Sequence, residues 1–208
     1  MNGERFLEAV RAETETELHR LGSDKYLIAA TGADLTETAV LGAVARRAVS
    51  GRETFERWAD SENGTAAETF ETAAETERAH LELLEDRLDE VPDDPGDDAV
   101  HEVLGEAETT AARAGALVGR GLVGDRALLQ VVNFFVNEVD SAGADLAREL
   151  RGDANDQVTA GADLLEAVCE SEDDWERARD SAEQVVQVAY DEYAAALEAM
   201  GVDPKPVC

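Results

Sequence analysis

Residues 64–88 read GTAAETFETAAETERAHLELLEDRL. Ala67, Phe70, Ala74, Leu81, Leu84 and Leu88 recur at steps of three and four, the period of one face of an α-helix. Glu77 occupies the vacant step between Ala74 and Leu81, so its carboxylate points at the core. His80 follows three residues later, and less than one helical turn puts both side chains on one face, where they can converge on a single ion. A buried carboxylate must be met by a proton, a cation or hydrogen bonds, because desolvation otherwise costs several kcal/mol. That cost is comparable to the stability of a whole domain, so Glu77 needs a partner.

The rest of the chain supports a helical reading. Its 208 residues are ample for one domain with a real core. Few aromatics and many alanines suit closely packed helices and argue against a sandwich or barrel. Forty-eight acidic residues face 16 Arg and two Lys, Lys25 and Lys205, for a net charge of -30. Such a surface suits multimolar salt, as in salt-accumulating halophiles, where the Debye length shrinks to about 3 Å and self-repulsion fades. The acidity and the lack of a basic stripe count against nucleic acid and anionic membranes as partners. Symmetric pairing through a bundle face is the natural homodimer.

Cys169 and Cys208 are too few and too far apart for a disulfide framework or a four-cysteine metal site, which fits a reducing cytoplasm. Cys208, among carboxylates, reads as an inert thiol. The N-terminus lacks an apolar signal core, and the most apolar run, 128–136, is broken by Gln130 and Asn133. We therefore expect neither a signal peptide nor a membrane span.

Periodicity predicts a first helix over 2–21 and a linker over 23–33 in which Tyr26, Leu27 and Ile28 form an apolar clip. A second helix opens at a capping box of Asp34 with Glu37 and runs to about residue 59. Ser61 to Gly64 make a turn, and Thr65 with Glu68 cap the third helix. The segment 92–97, PDDPGD, is the clearest break, with Asp98 as the N-cap of a fourth helix running to about 120. Gly121 and Gly124 mark the next turn, before a fifth helix over 125–151, a sixth over 155–170 and a seventh over 171–200. The expected organisation is one domain over 1–208, with an N-terminal helix and linker (1–33), a bundle (34–200) and an extended tail (201–208). Short turns make the second and third helices an antiparallel hairpin in which Glu77 faces Arg47 and Ala48.

Glu77-x-x-His80 on such a hairpin resembles the ferritin-like superfamily. The C-terminal segments DWERAR (174–179), AYDEY (189–193) and GVDPKPVC (201–208) resemble its short rubrerythrin-family proteins of haloarchaea. The resemblance implies an all-α fold, a ferritin-like up-and-down four-helix bundle with additional helices. It further implies a non-haem iron protein in oxidative-stress or iron handling, with iron or another transition metal held by Glu77 and His80. Glu138, Asp145, Asp191 or Glu192 would supply the missing carboxylates.

A full dinuclear site takes a Glu from each of two helices and an E-x-x-H from each of two others, and this chain departs from that pattern. It has one E-x-x-H, and VARRA (44–48) stands where a facing carboxylate belongs. The four-cysteine rubredoxin-like module is absent. An arginine is therefore the alternative partner of Glu77, either Arg47 beside the apolar stripe of the second helix or Arg52 on it. The corresponding function is a metal-free bundle serving as a binding or structural module. A helical transcription regulator has no basic recognition helix to support it. Phe134, Phe135, Trp58 and Trp175 read as packing residues, and His19 as a partner of a helix C-terminus.

The charge balance predicts a salt-dependent fold. Lowering KCl from multimolar to about 0.1 M lengthens the Debye length to about 10 Å, and the thermal midpoint followed by circular dichroism should drop sharply. An unchanged melting curve would refute this.

Overall fold

A short turn and three aromatic rings set the first long hairpin. Helix α4 (Glu37–Ser61) ends where the Glu62 N–H turns back to the Trp58 carbonyl, and Gly64 adopts the left-handed φ of 58° that starts α5 (Gly64–Glu85). Phe55 then packs at a tilt on Trp58, and Trp58 meets Phe70 edge to face across the hairpin, with centroids 5.5 and 5.1 Å apart. The computed structural model describes residues 1–96 and 98–204. Lys205, Cys208 and the remainder of the expected tail lie outside the described residues.

The other elements are α1 (Gly3–Glu13), α2 (Glu15–Leu21), α3 (Tyr26–Thr31), α6 (Ala99–Glu106), α7 (Thr110–Asn137), α8 (Ser141–Val168) and α9 (Glu172–Ala199). The described residues form helices and no strand. Helix α7 is the hub, with α8 and α9 packed along it, and α5 meets α8 to join the hairpin to this unit. The short helices α1, α2, α3 and α6 cover the sides, mostly against α9, α7 and α4. Arg87, just past α5, ties the start of α4 to the start of α8 by bonding Glu37 at 2.7 Å and also Asp140.

Several boundaries differ from the sequence reading. Helix α7 runs unbroken through Gly121 and Gly124, and the turn lies at Glu138–Asp140, where Val139 takes a φ of 60° and Asp140 accepts from the Gly143 N–H to cap α8. The α7 glycines serve close packing. A Cβ at Gly115 would overlap the Ala178 carbonyl of α9, and one at Gly121 would sit 2.8 Å from the Ala154 carbonyl of α8. The expected fifth and sixth helices thus regroup as the end of α7 and a single α8. The first helix is divided at Thr14, whose hydroxyl donates to the Val10 carbonyl, and α3 forms inside the expected linker. Thr36, not Asp34, caps α4, and Asn63 rather than Thr65 precedes α5. Asp98 caps α6 as expected, accepting from the His101 N–H at 3.0 Å.

Along α5 the core divides. Phe70, Ala73 and Ala74 join one apolar cluster with Phe55, Trp58 and Leu117, while Leu81, Leu84 and Leu88 join a second with Val40, Leu41 and Val131. Glu77 lies between them, whereas Glu75, Glu82 and Glu85 are exposed.

Two glycines should respond with opposite signs. Gly115→Ala forces backbone apart and should cost about 1–3 kcal/mol or more. Gly152→Ala on α8, where a Cβ meets nothing within 4 Å, should stabilise by about 0.5–1 kcal/mol. Thermal unfolding at fixed KCl measures both.

Candidate functional site

Four helices bring side chains or backbone to the gap between the two apolar clusters. Helix α5 contributes Glu77 and His80, 3% and 6% exposed, α7 contributes Arg120 at 6%, and α8 contributes Gln157 at 6%. Arg120 donates from Nη1 to Glu77 Oε1 at 2.7 Å and from Nη2 to the Arg47 carbonyl of α4, also at 2.7 Å. Gln157 Nε2 donates to the same Glu77 oxygen at 2.8 Å. His80 faces carboxylates at both ring nitrogens, with Nδ1 3.5 Å from Glu77 Oε2 and Nε2 2.9 Å from Oδ2 of Asp153 on α8.

Space for the guanidinium comes from Gly51 of α4, where a Cβ would overlap Arg120 and lie 3.0 Å from the Glu77 carboxyl carbon. The Phe55 ring covers Arg120, its centroid 5.1 Å from Cζ. Among the described residues no buried side-chain polar atom lacks a hydrogen-bond partner, the condition under which a buried polar cluster is tolerated.

The charges shift accordingly. Burial alone would raise the Glu77 carboxyl, but Arg120, aided by His80, outweighs it and holds the group down at about 2. Burial pulls the His80 ring downward, yet the hydrogen bond and charge of Glu77, then those of Asp153, win and raise it above the ordinary 6.5. With His80 protonated, the cluster holds two carboxylates against two cations.

The expected partners need correction. Neither Arg47 nor Arg52 gives Glu77 its cation. Arg47 offers only its backbone carbonyl to the cluster, and the carboxylate nearest Arg52 is Glu53 at 3.8 Å. The cation is Arg120, the one charged residue between Arg113 and Asp125. An isolated charge in so apolar a run was the signal available in the sequence.

Nor are the expected additional ligands gathered here. Glu138 lies beyond the end of α7, eighteen residues and about 27 Å of helix from Arg120. Asp145 is paired with Arg148 at 2.7 Å, Asp191 accepts from Gln187 at 2.8 Å, and Glu192 sits by the start of α6.

This donor set does not fit a dinuclear centre. Arg120 and Gln157 occupy Glu77 Oε1, both His80 nitrogens face carboxylates, and no group of three or more His, Cys, Asp or Glu is placed to hold a metal among the described residues. Cys169, half-buried after α8, offers no ready thiolate, since burial and Asp174 push its thiol up to about 11.

A cavity of about 50 Å³ adjoins the cluster, walled by Leu27, Val40, Val44, Leu128 and Val131. On the opposite side Asp153, whose side chain is 38% exposed, and Gln157 border a wider groove between α5 and α8. Among the described residues no helix is long and apolar enough to cross a membrane. In comparison with known proteins, the chain matches no family model, no curated protein and no solved structure.

The cluster predicts two pH limbs. A raised His80 contributes stability that is fully present below 6.5 and lost as pH rises through its folded value. Glu77 contributes stability present above 4.5 and lost as pH falls toward about 2. Melting of wild type against His80→Gln, from about pH 6 to about pH 9, should show the wild-type advantage shrinking on the alkaline side. A constant difference would sever His80 from Glu77 and Asp153.

Proposed function

We propose that this protein is a ferritin-like helical bundle, akin to short rubrerythrin-family proteins, in which a guanidinium takes the place of metal and the bundle serves as a binding or structural module. The observation that carries this reading is the Arg120–Glu77 bond of 2.7 Å in the space left by Gly51. In the dinuclear template each of four helices sends a ligand to the centre. Here α4 sends a glycine and a carbonyl, α7 an arginine and α8 an aspartate and a glutamine, while α5 retains the E-x-x-H pair.

The second reading is a rubrerythrin-like iron protein of oxidative-stress or iron handling. It draws on His80 facing the carboxylates of Glu77 and Asp153 at its two ring nitrogens. Iron could enter only after Arg120 withdraws from Glu77.

Metal content and coupling separate the two. Protein made with supplied iron in multimolar KCl should carry Fe, Mn and Zn well below one ion per chain, and chelator should leave its melting unchanged. Arg120→Met should cost about 3–5 kcal/mol by stranding a buried carboxylate. A double-mutant cycle with Glu77→Gln should show coupling of about 0.5–3 kcal/mol. Stoichiometric iron that is lost on His80→Ala, without Arg120 coupling, would instead establish the iron protein.

A further inference from the structure

A second cavity, of about 220 Å³, lies between α3, α4, α7 and α9 near the start of α6. Small apolar residues, Ala29, Ala30, Ala43, Val123, Ala189 and Ala196, share its walls with polar groups, and Tyr26 and Tyr193 stand at the sides. Arg46 and Arg47 also line it. In a chain with 48 acidic residues against 18 basic ones, the more buried arginines find carboxylates, as Arg87, Arg113 and Arg120 do. Neither Arg46 nor Arg47 has one within ion-pair distance among the described residues.

Two acidic residues share the cavity. Asp98 uses Oδ1 to cap α6, and Glu192 lies by the Ala99 N–H of the same helix end. Burial and the Asp98 charge nonetheless raise Glu192, with Arg47 acting in the opposite direction. Arg46, which is exposed, and Arg47, which is half-buried, thus border the partly apolar chamber without a carboxylate of their own.

We propose that this chamber binds a small organic carboxylate, its head on Arg46 and Arg47 and its apolar body against the alanines of α3, α4 and α9. An arginine fork matches a carboxylate geometrically. The apolar walls are what would let such an anion outcompete chloride in concentrated salt, since chloride has no apolar body to bury. Arg46, Asp98 and Glu192 stand apart from the Glu77 cluster, and Arg47 bonds to that cluster through its backbone carbonyl, which a side-chain substitution keeps.

The test is calorimetric titration of the full chain in multimolar KCl with hexanoate, hexanol and inorganic phosphate, each variant being checked for an intact melting transition. Hexanoate should saturate one site, with phosphate and hexanol each at least about tenfold weaker. The double variant Arg46→Gln/Arg47→Gln should weaken hexanoate by about tenfold or more. Ala196→Leu, which fills the chamber and leaves both arginines, should weaken it as well. Absence of saturable hexanoate binding to folded wild type, phosphate binding as tight as hexanoate, or undiminished binding by the arginine variant would each overturn the proposal. None of these outcomes bears on iron content, so the two readings stand or fall separately.

Discussion

The ion pair between Arg120 and Glu77 is the constraint around which the core is arranged. It forms a thin polar layer between two apolar ones, with Phe55, Trp58, Phe70 and Leu117 on one side and Leu41, Leu81, Leu84 and Val131 on the other. Dehydrating both ions costs more than their attraction returns unless the remaining donors and acceptors are filled. The Arg47 carbonyl, Gln157 and His80 fill them. Since α4, α5, α7 and α8 each supply a member, sliding one helix by a turn, about 5.4 Å, would part the group. The layer thereby adds a directional constraint on the register of the four helices to that of the apolar packing around it.

Half of that layer was legible in the sequence. The burial of Glu77 follows from its phase between Ala74 and Leu81, and the hairpin that places it opposite Arg47 follows from the short turn at residue 62. Its true partner was hidden by a rule that works in most contexts. Glycine breaks helices when exposed backbone is free to hydrate, but Gly115, Gly119 and Gly121 are pressed against the carbonyls of Ala178, Ala182 and Ala154. Packing there outweighs propensity. Ending a helix at Gly121 placed Arg120 at a terminus, where an arginine needs no explanation. Similarly, α3 is a six-residue helix too short to announce itself by period, and it takes shape against α9, α4 and α7.

Two kinds of electrostatics coexist with little interference. The surplus of acidic groups lies at the surface, where mobile ions screen each charge from its neighbours over a few ångströms. The inner cluster is out of reach of those ions and balances itself, Glu77 and Asp153 against Arg120 and protonated His80. Salt therefore acts on the outside of the molecule and protons on the inside. Asp153 is the one member with a foot in both regions, bonded to His80 and open to the groove between α5 and α8.

Gly51 carries a consequence for how this chain can change over time. Any side chain at that position meets the Arg120 guanidinium, so a larger residue can be installed at position 51 only if the guanidinium moves away. Losing the arginine first strips the dehydrated Glu77 of its guanidinium and leaves it Gln157 and His80. Either order of the two substitutions passes through an impaired intermediate, and the pair is conditionally neutral only when exchanged together. Positions 51 and 120 are thereby bound into one heritable unit, in which a side chain on α4 at 51 and the present place of the guanidinium exclude each other.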